Sequence, residues 1–159
     1  MTHRLPFLLA AITTGLVIVA CSDTTSPIEG NSAASLSAAA PRSGALHVTK
    51  DCSTYTGQAG DICTITSSNV KAIEVGSRVI YASAAVGVSL DTDVRLDLPG
   101  PGNNSASGHC TLSLATGVGV CTFSGGTGKF RWFEASAAVS NVGGPNFAWD
   151  GTYSLSPRD

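Results

Sequence analysis

The sequence predicts an all-β domain, an antiparallel sandwich or barrel of eight or nine short strands. Three observations carry this expectation. From Leu46 onward, apolar and polar residues alternate with the two-residue period of a half-buried strand. Clusters of Gly, Pro, Asn and Ser break the runs at Gly76-Ser77, Pro99-Gly100-Pro101-Gly102-Asn103-Asn104, Gly125-Gly126-Thr127-Gly128 and Gly143-Gly144-Pro145. No window of about a dozen residues carries a helical period.

In chain order the expected strands are 46–50, 61–66, 71–75, 78–85, 92–98, 110–114, 118–123, 130–140 and 147–154. The domain therefore spans 46–159, about 114 residues, enough to bury a little under 70% of its unfolded surface in one modest core. Residues 21–45 read as a flexible linker, because Thr24-Thr25-Ser26-Pro27, Gly30-Asn31-Ser32 and Ala38-Ala39-Ala40-Pro41 are small, polar and punctuated by Pro. Such a spacer reaches roughly 25–30 Å.

Residues 1–20 read as a signal peptide. Thr2-His3-Arg4 supplies a positive start, and Leu5 to Ala20 is 16 residues without a charge, short for a membrane-spanning helix. The end of that stretch, Leu16-Val17-Ile18-Val19-Ala20-Cys21, resembles the lipobox of bacterial lipoproteins. The resemblance implies acylation of Cys21, for instance by palmitate, and cleavage before it. Ser22 at the next position is similar to the outer-membrane choice in organisms with two membranes. An ordinary signal peptide or a short uncleaved anchor is the plainer alternative. The implied location is the cell envelope, held there by lipid, with each buried CH₂ contributing about 0.8 kcal/mol.

Cysteine usage fits an oxidising compartment. Of Cys21, Cys52, Cys63, Cys110 and Cys121, lipidation would remove the first and leave an even set. The four form two pairs, each with ten residues between partners, a spacing that suits a hairpin closed by a cross-strand bridge. Folding about Ala115-Thr116 sets Cys110 opposite Cys121 and Leu112 opposite Gly119. The spacing favours 52–63 with 110–121, and the two crossed connectivities stay open. Zinc would need closer thiolates within a pair, so no metal is expected.

The composition narrows the function classes. Charged residues make up 13% of the chain, with Lys plus Arg 9 against Asp plus Glu 11. No basic field exists for a nucleic-acid backbone, and 43% apolar residues argue against disorder. Within the domain, Asp91, Asp93, Arg95 and Asp97 share one face of a strand whose other face carries Val94, Leu96 and Leu98. That charged face is either a solvated outer wall, the simpler reading, or the lining of a polar lumen. Asp93, Arg95 and Asp97 are accordingly pocket candidates, together with Arg131, Trp132 and Trp149, an arginine and aromatic rings that could stack on a planar or sugar-like ligand. His47 and His109 are the histidines beyond the leader, and no Gly-x-Ser-x-Gly elbow supports a catalytic triad. No catalytic residue and no cofactor is expected.

Phe123-Ser124-Gly125-Gly126-Thr127-Gly128-Lys129-Phe130-Arg131 resembles the Gly-Gly-Thr-Gly-Lys-Phe segment of dirigent proteins and, more loosely, that of allene oxide cyclases. The likeness covers roughly 108–153. It implies a small antiparallel barrel of about eight strands with a central pocket. The continuation Trp132-Phe133-Glu134-Ala135 departs from those families, and none of their pocket residues can be carried over. The residues themselves make Gly125, Gly126 and Gly128 a structural turn. They do not make a phosphate loop, because both flanking positions that pattern requires are Phe.

Three functions remain open from these residues. The first is a lipid-anchored module presenting a barrel that binds a small apolar ligand or an envelope protein, without catalysis. The second is a dirigent-like or cyclase-like enzyme acting on a small apolar substrate inside the barrel. The third is a purely structural envelope protein. An open lumen lined by Asp93, Arg95 or Arg131 favours a ligand site or an enzyme, and a filled one favours an interaction surface.

Overall fold

A computed structural model describes residues 42–156. The leader, Cys21 and nearly all of the expected linker lie outside the described residues.

Eight antiparallel strands form a closed barrel in which each strand pairs with its sequence neighbours and the last returns to the first. They are β1 (Ser43–Asp51), β2 (Ile62–Ser68), β3 (Arg78–Tyr81), β4 (Ser89–Asp97), β5 (Ser105–Ser113), β6 (Val118–Gly126), β7 (Glu134–Gly143) and β8 (Asn146–Ser154). The closing β1–β8 ladder runs the full length of both strands, from Ser43 opposite Ser154 to Asp51 opposite Asn146. Closure leaves no sheet edge to attract another chain.

Alternation assigns the faces. Leu46, Val48 and Lys50 of β1, Val79 and Tyr81 of β3, and Leu90, Val94 and Leu96 of β4 point inward. On the far wall, Ala135, Ala137 and Val139 of β7 are small enough to admit Trp149 of β8 and Phe123 of β6, whose rings meet edge-on at 5.3 Å. Gly108 of β5 is required by the same packing, because a Cβ there would collide with the Thr122 carbonyl and the Phe123 ring.

Both disulfides form, Cys52 with Cys63 and Cys110 with Cys121. Cys110 lies directly opposite Cys121 in the β5–β6 ladder, and Leu112 opposite Gly119, the register read from the sequence. Gly117 turns that hairpin with φ +70°, a conformation that other residues adopt only with strain.

Several boundaries differ from the sequence reading. Residues 71–75 form turns and no strand. Val70 and Ile73 are buried under the β2–β3 connection, so their apolar spacing served a loop that covers one end of the barrel. The expected strand 130–140 begins only at Glu134. Ahead of it, Gly128–Phe130 is a short 3₁₀ turn that delivers Phe130, with Phe133 after it, into the same end of the core. β1 begins at Ser43, inside the stretch read as linker, β5 begins at Ser105, and β3 stops at Tyr81.

Candidate functional site

The barrel has two unlike ends. At one end the β2–β3, β4–β5 and β6–β7 connections meet, sealed by Val70, Ile73, Phe130 and Phe133. The Gly-Gly-Thr-Gly-Lys-Phe segment is stitched in here. Thr127 donates its hydroxyl to the Asn103 carbonyl at 2.7 Å, and the Lys129 amide donates to Asn104 Oδ1 at 3.0 Å. Gly125 and Gly128 adopt positive φ (93° and 56°), while Gly126 closes β6. A Cβ on Gly128 would strike the Asn104 side chain. Arg131 and Trp132 are exposed beside this turn, the guanidinium 5.4 Å from the ring centroid. Trp149 lies apart from them, buried inside the barrel.

The charged face of β4 looks outward. Asp93 and Arg95 are exposed and line a shallow groove of about 670 Å³ on the outer wall, with His109 of β5. The His109 ring is held between two carboxylates, Nδ1 at 2.9 Å from Asp93 and Nε2 at 2.8 Å from Asp91. Hydrogen bonding to Asp93, then contact with Asp91, raises its pKa above the usual histidine value. Asp97 takes Arg78 at 3.3 Å and Arg95 at 3.5 Å. In solvent such pairs contribute little to stability. They shape a surface that is polar and locally self-neutralised.

The other end carries the chemistry that the sequence reading missed. Lys50 follows Leu46 and Val48 on the inward face of β1, and only 2% of it is exposed. The β1–β2 pairing shifts register between Thr49 and Lys50, a local irregularity of the kind that re-aims a side chain. Its Nζ donates to Tyr81 Oη at 2.6 Å and lies 4.4 Å from the Trp149 ring centroid. Among the described residues no carboxylate is paired with it. A buried ammonium without a counter-ion is costly, and the loss of hydration brings the Lys50 pKa down to about 7. Burial, then the neighbouring Tyr55, raises that of Tyr81.

Two more groups complete this cluster. The Tyr81 hydroxyl is 3.6 Å from Cys63 Sγ. Tyr55, on the loop after β1, packs edge-on against Tyr81 at 5.2 Å, and its buried hydroxyl has no partner. Apolar Leu90, Leu112 and Phe147 line the remainder around a void of about 20 Å³, space for one water. The cluster thus holds an amine whose pKa burial brings down to about 7, one hydrogen bond from a phenol that touches a disulfide. The available signal was the alternation itself, since Leu46, Val48 and Lys50 occupy every second position of one strand. A terminal lysine reads as a solvated strand end until the closing partner is known.

Compared with family models, with curated proteins and with solved structures, the chain matches none.

Proposed function

We propose that this chain is a lipid-anchored, extracytoplasmic interaction module of the bacterial cell envelope. It would be held by acylated Cys21, on the outer membrane where there are two, and engage an envelope partner through its outside. One observation carries the reading. The closed barrel is filled by its own side chains, with Trp149, Phe130, Phe133, Leu46 and Leu96 each under 2% exposed, while Asp93 and Arg95 face solvent. A cyclase-like enzyme of this architecture needs a lumen for its substrate, and pockets for drug-sized ligands run to about 300 Å³ or more. The interior void beside Lys50 is about 20 Å³. What a partner would meet is the outer wall, including the β4–β5 groove and exposed Val86, Val88, Val118 and Val142. Two bridges in a domain of this size also fit an oxidising compartment.

A native mass spectrum of protein purified from the envelope tests the reading. The expected mass is that of a chain starting at Cys21 with acyl groups, two disulfides and no retained small molecule, and Cys21→Ser should move the protein to the soluble fraction. An unacylated chain, or a ligand bound in stoichiometric amount, overturns it.

A further inference from the structure

We propose that the Cys52–Cys63 bridge is a thiol–disulfide exchange site, in which an external thiol attacks Cys52 and Cys63 leaves toward Tyr81 and Lys50. The two sulfurs are not equivalent. Cys52 sits just past the end of β1 and is partly exposed, whereas Cys63 is inside the barrel at 1% exposure. A thiolate arriving from solvent therefore meets Cys52.

The proton chain runs the right way for Cys63 to depart. A disulfide sulfur has no hydrogen, so the contact at 3.6 Å is the Tyr81 hydroxyl donating to Cys63 Sγ. The oxygen of that hydroxyl in turn accepts from Lys50 Nζ at 2.6 Å. Each donor thus points toward the sulfur on which charge would develop, and a better-stabilised leaving thiolate departs faster. The Cys110–Cys121 bridge is an internal comparison: both its cysteines are about 1% exposed, and the other described lysines, Lys71 and Lys129, are exposed on the surface.

The thiolate RS⁻ bonds to Cys52 Sγ as the Cys52–Cys63 bond breaks, and its electron pair goes to Cys63. Cys63 takes the Tyr81 proton while Tyr81 takes one from the Lys50 ammonium, leaving a neutral amine that regains its proton from water. A second thiol attacks the R sulfur of the mixed disulfide and releases RS–SR and the Cys52 thiol, so two thiols are oxidised and one bridge is reduced. Tyr81 touches the reacting sulfur. Lys50 acts through it, as a positioning residue and proton reserve.

Because the reserve is the ammonium form, the rate per unit of attacking thiolate should fall as pH rises through about 7, the Lys50 value. Tyr81 on β3 and Tyr55 on the loop after β1 are the titratable groups around Lys50, Cys63 on β2 is held in the bridge and carries no proton while that bridge is closed, and Trp149 supplies a ring from β8. The nearby Asp61 carboxylate is occupied by the Thr56 and Gln58 amides at 2.6 and 2.9 Å.

The test treats the oxidised full chain with reduced glutathione, quenches with acid, alkylates and maps every cysteine by mass spectrometry from pH 5.5 to 9. Expected are a glutathione adduct on Cys52, alkylated Cys63, and opening at least about tenfold faster than that of Cys110–Cys121. Tyr81→Phe should slow the first bridge by about tenfold, and Lys50→Met should slow it and flatten the thiolate-corrected pH profile, with the second bridge unchanged. An adduct on Cys63 or equal opening of the two bridges in the unmodified protein overturns the proposal without recourse to any variant. So does a pH profile indifferent to Lys50→Met.

Discussion

Replacing Lys50 by Met should stabilise the protein, and by an amount that depends steeply on pH. Methionine fills nearly the same volume and brings no charge into the barrel. Burial lowers the folded-state pKa of Lys50 from 10.5 to about 7, so between those values the unfolded chain binds the proton more tightly. The folded state is therefore penalised most below pH 7, and the penalty fades as pH rises toward 10.5. At about 1.4 kcal/mol per decade, the gap corresponds to about 5 kcal/mol at pH 6 and about 1 kcal/mol at pH 9.5. Against this stands the lost hydrogen bond to Tyr81, about 1 kcal/mol. Lys50→Met should thus exceed the parent by about 4 kcal/mol at pH 6 and nearly match it at pH 9.5. Urea unfolding of the oxidised proteins, followed by tryptophan fluorescence across that range, measures the difference. A constant difference, or a variant less stable than the parent at pH 6, would refute the placement of an unpaired lysine in the core.

Three further outcomes follow from the same structure. Replacing Cys110 and Cys121 together by Ala opens a short hairpin loop and should cost about 2–3 kcal/mol, with the melting temperature falling by roughly 10 °C or more in calorimetry. Gly117→Ala forces a residue with a Cβ into φ +70° and against Asn141, and should cost about 1–3 kcal/mol in the same measurement. Asp93→Asn removes the leading cause of the raised His109 pKa, so the imidazole midpoint read by proton NMR should move down. The paired imidazolium favours the folded parent at low pH, and that contribution is lost as pH rises through its folded value.

How far the sequence reveals this molecule depends on how local each constraint is. The register of the β5–β6 hairpin is legible to the residue, although its strands run longer than expected, because Cys110 and Cys121 and the intervening turn all act within a dozen positions. Alternation separates the two faces of β4, and of the two placements it leaves open the structure shows the simpler one, with Val94 and Leu96 inside and the charges outside. Residues 71–75 mislead because alternation over so few positions fits a strand and a capping loop equally well. Phe130 looks like the start of a strand but belongs to a turn anchored by Asn103 and Asn104, some 25 residues earlier. Lys50 is the hardest case. Its inward position follows from Leu46 and Val48, yet what makes the interior tolerate it comes from Tyr81 and Trp149, on strands that only barrel closure brings beside β1.

Closure and a filled interior underlie both the surface reading and the chemistry assigned to Lys50. A NOESY spectrum of the oxidised protein tests them most directly. Expected are cross-strand contacts along the β1–β8 ladder, with Leu46 opposite Gly151 and Val48 opposite Trp149, together with contacts from the Lys50 side chain to the Trp149 ring. A β1 strand that contacts only β2, with Lys50 methylenes free of the indole, would mean an open sheet and would contradict closure.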